Sequence, residues 1–146
     1  MADAATKTIT IEATPEHCYE IVADFEQYPS WVTDIAAAEV VDRDDQDRPR
    51  DVQFTVSALG RKAHYTLRYD YAEAPKVLSW KLVEGDIMKA IDGAYRFAPS
   101  TEVPGGTDVT YDLSIELIVP MPGFLKRRAE ARILNSVHHL KSRAEA

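Results

Sequence analysis

A single cysteine, Cys18, stands among 146 residues. One thiol excludes an intramolecular disulfide and any cysteine-based zinc cluster. No apolar run approaches the ~20 residues of a membrane span, and the opening MADAATKTIT has no secretory apolar core, so a cytoplasmic protein is expected. Positive charge is scarce too. Seventeen Lys and Arg face 24 Asp and Glu for a net charge of −7, the wrong sign for general nucleic-acid binding. Neither a GxSxG elbow, nor a P-loop, nor a GxGxxG turn occurs. The four histidines His17, His64, His138 and His139 show no metal-ligand spacing on a common face, since adjacent His138 and His139 diverge by ~100° on a helix. His17 and Cys18 likewise point to different faces, which disfavours a Cys–His dyad. No catalytic residue, metal or cofactor is therefore expected. Against these absences, 45% hydrophobic and 28% charged residues make an ordinary globular composition, and residues 1–146 fit one domain.

The order of elements follows from period and punctuation. Thr6–Ala13 alternates as a strand. Thr14 offers an N-cap hydroxyl and Pro15 suits the first helical position. Cys18, Ile21, Val22 and Phe25 then recur at helical spacing, predicting a short amphipathic helix to about Asp24. Tyr28-Pro29-Ser30-Trp31 breaks it, and a further turn is expected around Trp31–Thr33. The period then becomes two, with strands predicted at Ile35–Asp42, Asp51–Ala58, Lys62–Ala72, Val77–Glu84, Met88–Ala98 and Thr107–Val119. Leu59-Gly60, Gly85-Asp86 and Pro104-Gly105-Gly106 suit hairpin links, and the five aspartates of Asp42–Asp51 suit a solvated turn rather than a calcium loop.

Pro120-Met121-Pro122-Gly123 closes the last strand, and one long helix is predicted from about Phe124. Leu125, Ala129, Ile133, Ser136, Val137 and Leu140 fall in a single ~120° stripe, while Leu134 falls outside it. Such a helix has only the sheet to bury its stripe against, and a sheet of about seven strands twists and curls. The expected architecture is α+β: a curved antiparallel sheet wrapped round a C-terminal helix, with a wedge of space between them.

Strand parity nominates the walls of that space. Tyr65, Leu67, Tyr69 and Tyr71 share one face, as do Leu78, Trp80 and Leu82, and Val109, Tyr111, Leu113, Ile115 and Leu117. Plain core packing is the simpler reading of each residue. As a group, apolar rings with a few hydroxyls match a pocket for a flat or polyprenyl-like molecule. Arg96, between Ala94 and Ala98, offers a cation to a ligand carbonyl or carboxylate if its parity faces inward, although such arginines more often face solvent.

The segment DFEQYPSWVTDI (Asp24–Ile35) resembles the signature of the START-like helix-grip superfamily, in its polyketide cyclase/dehydrase and coenzyme Q-binding branch. VLSWKLVEG (Val77–Gly85), DGAYRFAPS (Asp92–Ser100) and GGTDVTYDLSIEL (Gly105–Leu117) are similar to the last three strands of that family, so the likeness runs through nearly the whole chain. It implies a helix-grip fold whose cavity holds a hydrophobic molecule, with two short helices after strand 1 anchored by Tyr28-Pro29-Ser30-Trp31 beside the pocket mouth. Trp31, Tyr65, Tyr69, Trp80, Leu82, Arg96, Tyr111, Leu113, Ile133 and Val137 are the candidate ligand-binding residues.

The expected function is binding, and transport, of a lipid, quinone or polyketide. Two rivals are an aromatase/cyclase using Tyr65, Tyr111 and Arg96, and a toxin-like protein-interaction module. Nothing in the residues speaks to oligomeric state. From residue 121 onward six basic side chains (Lys126, Arg127, Arg128, Arg132, Lys141, Arg143) outnumber Glu130 and Glu145, leaving −11 on the first 120 residues. With Met121, Phe124, Leu125 and Leu134 beside them, these cations suit transient peripheral contact of the C-terminal helix with an anionic membrane. The plainer alternative is a solvated helix face that balances an acidic sheet.

Overall fold

A computed structural model describes residues 5–58, 61–118 and 122–146 of the chain. Strand β1 (Ala5–Ile11) leads into helix α1 (Pro15–Ala23), whose first turn is closed by Thr14: its hydroxyl accepts from the His17 amide at 3.2 Å. A 3₁₀ helix, Phe25–Ser30, follows directly and contains Pro29. The helical turn expected at Trp31–Thr33 thus comes earlier. Three residues per turn place Phe25 and Tyr28 on one face, and both are buried. The Tyr28 hydroxyl donates to the Val22 carbonyl at 2.5 Å, which ties the 3₁₀ turn back to α1.

Six further strands complete the sheet: β2 (Ile35–Arg43), β3 (Pro49–Ala58), β4 (Arg61–Asp70), β5 (Val77–Gly85), β6 (Met88–Pro99) and β7 (Thr107–Leu117). They form one seven-stranded antiparallel sheet in the order β1-β7-β6-β5-β4-β3-β2. Irregularities in register within the β2–β3, β4–β5 and β6–β7 pairs bend the strands, as extra residues do. The acidic link between β2 and β3 is a self-contained turn. Asp44 accepts from the amides of Gln46 and Arg48 and from the Arg48 side chain, each at 2.9 Å, and Asp47 adopts a φ of +62°. The expected Leu59-Gly60 turn and the Val119–Met121 end of the last strand lie outside the described residues.

The expected long C-terminal helix is present, interrupted at a single residue. Two helices, α2 (Gly123–Leu134) and α3 (Ser136–Ala144), meet at Asn135. Its backbone tightens there to ψ −11°, and its side-chain carbonyl accepts from Lys7 on β1 at 3.1 Å. The two halves of the predicted stripe therefore meet different surroundings. In α3, Val137 and Leu140 are fully buried against the core. In α2, Ile133 keeps 37% of its surface exposed, whereas Leu134, expected to face away, is only 6% exposed. Glu130 and Leu134, one turn apart, are the buried residues of α2, and the stripe about 100° away overlooks open space. This burial removes Leu134 from the apolar face proposed for membrane contact. No helix among the described residues is long and apolar enough to cross a membrane.

Candidate ligand-binding cavity

The space beneath α2 is a cavity of about 420 Å³, within the range of small-molecule sites. Its floor is the concave face of the sheet. Alternation and cross-strand pairing bring together Tyr65 and Tyr69 of β4, Trp80 of β5, Tyr95 of β6, and Tyr111 and Leu113 of β7. Tyr69 pairs with Trp80 across β4–β5, and Tyr95 with Tyr111 across β6–β7. The rings form one continuous cluster, with Trp80 5.6 Å from both Tyr69 and Tyr95 and 5.7 Å from Tyr111, centroid to centroid. Gly93, the partner of Trp80 on β6, makes this possible. A Cβ on Gly93 would stand 2.4 Å from the indole ring, so only glycine lets Trp80 lie flat over its neighbour strand.

The roof is the stripe of α2, with Leu125, Ala129 and Ile133. Small Ala129 leaves space that a larger residue would fill. Four polar residues complete this side: Arg128 and Arg132 one turn apart on α2, Ser136 at the start of α3, and His139. Asp34, just before β2, lies opposite. Its two carboxylate oxygens accept from Nε and a terminal nitrogen of Arg132, both at 2.7 Å. The Arg132 guanidinium holds the Asp34 carboxyl below the usual carboxylate range, against a smaller opposing effect of burial, and His139 adds to the lowering. This fork ties α2 to the mouth of the cavity.

Inside, the polar atoms are phenols. Burial raises Tyr65, Tyr69, Tyr95 and Tyr111 above the ordinary tyrosine value, so all four remain neutral hydroxyls at physiological pH. Tyr95 and Ser136 share a hydrogen bond at 3.2 Å. The hydroxyls of Tyr65, Tyr69 and Tyr111 have no hydrogen-bond partner among the described residues, so they are the handles open to a ligand.

Of the ten candidate residues, Tyr65, Tyr69, Trp80, Tyr111, Leu113 and Ile133 line the cavity; the other four do not. Arg96 stands on the opposite, convex face, where its Nε donates to Asp112 at 3.1 Å. Strand alternation decides this: the β6–β7 register turns Tyr95 and Phe97 inward and so Arg96 outward. Val137 is sealed within the packed core under α3. Leu82 is partly buried against the core and reaches along β5 toward Gly85, its Cδ1 about 3.5 Å from where a Cβ on Gly85 would stand. Trp31 stacks edge-on against Tyr28 and borders a second, smaller hollow with His17, Ile21 and Arg143. Asp34, Arg128, Arg132 and His139 also line the cavity but are not among the ten, and from sequence the two arginines are assigned to a membrane-facing surface instead. The i, i+4 spacing of the two arginines places them on one face, but Asp34, 98 residues from Arg132, gives no local signal.

The fold and the sequence both have relatives. The polyketide cyclase/dehydrase and lipid transport family model matches residues 3–145. No curated protein matches by sequence. A START superfamily protein from Mycobacterium smegmatis superposes with a TM-score of 0.89 at 25% identity, covering 97% of each chain. The ZhuI aromatase/cyclase from Streptomyces sp. R1128 gives 0.84 at 15% identity, with 99% of this chain and 94% of that one covered. The di-domain aromatase/cyclase BexL of the BE-7585A pathway gives 0.73 at 17% identity, and this chain spans 45% of its length. At such identities the two cyclases share the fold alone. A family match over nearly the full length, with a curved sheet gripping a C-terminal helical segment, places the chain in the polyketide cyclase/dehydrase and lipid transport family, within the START-like helix-grip proteins.

Proposed function

We propose that the protein binds a hydrophobic, ring-containing small molecule in the cavity under α2 and carries it unchanged. The observation that supports this most is an aromatic cavity of about 420 Å³ in which, among the described lining residues, the one imidazole, His139, has no free carboxylate to pair with. Its phenols are held neutral, and its one lining carboxylate, Asp34, is engaged by Arg132. A general acid or base needs a pKa near the working pH, and burial moves these hydroxyls the wrong way. The rival cyclase also loses Arg96, which points away from the ligand space.

Native mass spectrometry of freshly purified protein tests the reading, with aromatic polyketide intermediates supplied in a parallel turnover assay. The expected result is a co-purified or added apolar ligand released unaltered. Cyclised product that depends on Tyr65 and Tyr111 would instead establish the enzyme.

A further inference from the structure

The polar side of the cavity is not electrically balanced. Three fully charged side chains line the space: Asp34, Arg128 and Arg132. Asp34 spends both oxygens on Arg132. Arg128, one turn earlier on the same face of α2, makes no ion pair or hydrogen bond among the described residues. It is exposed and so stands at the opening, where its guanidinium reaches the cavity with all its donors available. Farther along the same wall, His139 has a buried Nδ1 without a partner, which keeps this side of the cavity polar. The opposite end is rings: Trp80, Tyr95 and Tyr111. An uncompensated cation beside an apolar aromatic chamber matches one kind of molecule better than a plain hydrocarbon.

Resting on the carrier reading above, we infer that the physiological ligand is an amphiphile with one acidic group, seated with its anion on Arg128 at the rim and its apolar body against Trp80, Tyr95 and Tyr111. The guanidinium fork suits a planar or tetrahedral oxyanion, and the bond is charge-assisted. The Arg132–Asp34 pair beside it is already neutral, so a second acidic group would find no cation free to receive it. A fully apolar ligand would leave Arg128 facing the entrance without use.

Two fluorescent probes of one shape separate the possibilities: anilinonaphthalene sulfonate, which carries a single anion, and uncharged phenylnaphthylamine. Both are titrated into the wild-type chain, Arg128→Gln and Arg127→Gln. The expected result is a preference of about tenfold for the sulfonate in the wild type, the size of one hydrogen bond to a charged group. That preference should fall to about parity in Arg128→Gln and persist in Arg127→Gln, which removes the same charge from a residue that does not line the cavity. Equal affinity of the wild type for both probes overturns the acidic-ligand inference while leaving the carrier reading intact. Equal loss in the two variants overturns it as well, because the helix would then act only through its net charge. Failure of both probes to bind defeats the carrier reading itself, and the inference with it. Arg128 is exposed, so its replacement leaves the core undisturbed.

Discussion

Helices α2 and α3 are consecutive, similar in composition and derived from one apolar stripe, yet they do different work. α3 lays Val137, Leu140 and Ala144 into the buried core that also holds Ile11, Cys18 and Val22. α2 holds the sheet by one edge, through Leu134 and the buried Glu130, and spans a void with the rest. The contrast comes from side-chain size as much as from pattern. Where α3 presents branched residues to the core, α2 presents Ala129 between two arginines. An amphipathic stripe thus says which way a helix faces, and the volumes along it say whether it meets a wall or a chamber.

The sharpest way to break this contrast is truncation in the packed half. Leu140→Ala removes a fully buried side chain and should cost about 2–5 kcal/mol, read from urea denaturation. Affinity for phenylnaphthylamine should stay within about twofold per folded molecule, because Leu140 does not line the cavity. A collapse of binding with the fold intact would show that the two regions are one.

Enlargement should then sort the helices. Val137→Phe drives a ring into filled space and should cost about 1–3 kcal/mol by the same measurement. Ala129→Leu enters the void, so its stability should change by less than about 1 kcal/mol while probe affinity falls as the chamber shrinks. Equal costs at both positions would mean that the chamber is not available space.

The smallest effect belongs to the fork at the mouth. Asp34→Asn cuts the tie to Arg132. Because the Asp34 carboxyl is held below its ordinary value, the stabilisation it gives is complete above about pH 4 and disappears as pH falls through the lower folded value. Wild type and variant should therefore differ slightly at neutral pH and converge in acid. A gap that persists undiminished to about pH 2 would mean that the pair does not carry the difference.

Much of this was legible in the chain, for identifiable reasons. The strands were readable because their period of two is sustained for about eighty residues and broken at turn-forming dipeptides. Parity alone put Tyr65, Tyr69, Trp80, Tyr111 and Leu113 on common faces, and the sheet register then brought those faces together. What stayed hidden depends on partners remote in sequence. The break at Asn135 involves Lys7 on β1, and the fork at Arg132 involves Asp34, each a contact that no local window contains. Arg96 shows the limit of parity without register. Around it Ala94 and Ala98 share one phase and Tyr95 and Phe97 the other, and either phase gives a lining until Tyr95 is seen opposite Tyr111.

The position of β1 has a consequence for how the molecule comes together in time. This first strand sits at the sheet edge and pairs only with β7, so Ala5 meets Leu113 and Ile11 meets Thr107. Every other pair in the sheet joins strands that are neighbours in sequence and can zip as hairpins. The edge pair must instead close a loop of about a hundred residues, whose entropy is lost before any of its hydrogen bonds form. Chains dominated by such distant contacts fold in about milliseconds to seconds rather than microseconds. The meander β2–β7 is thus expected to assemble early, and the arrival of β1 to set the pace. Its docking brings in Ile11 and Lys7, the residues against which the C-terminal helices seat, so the chamber gains its roof in the last step.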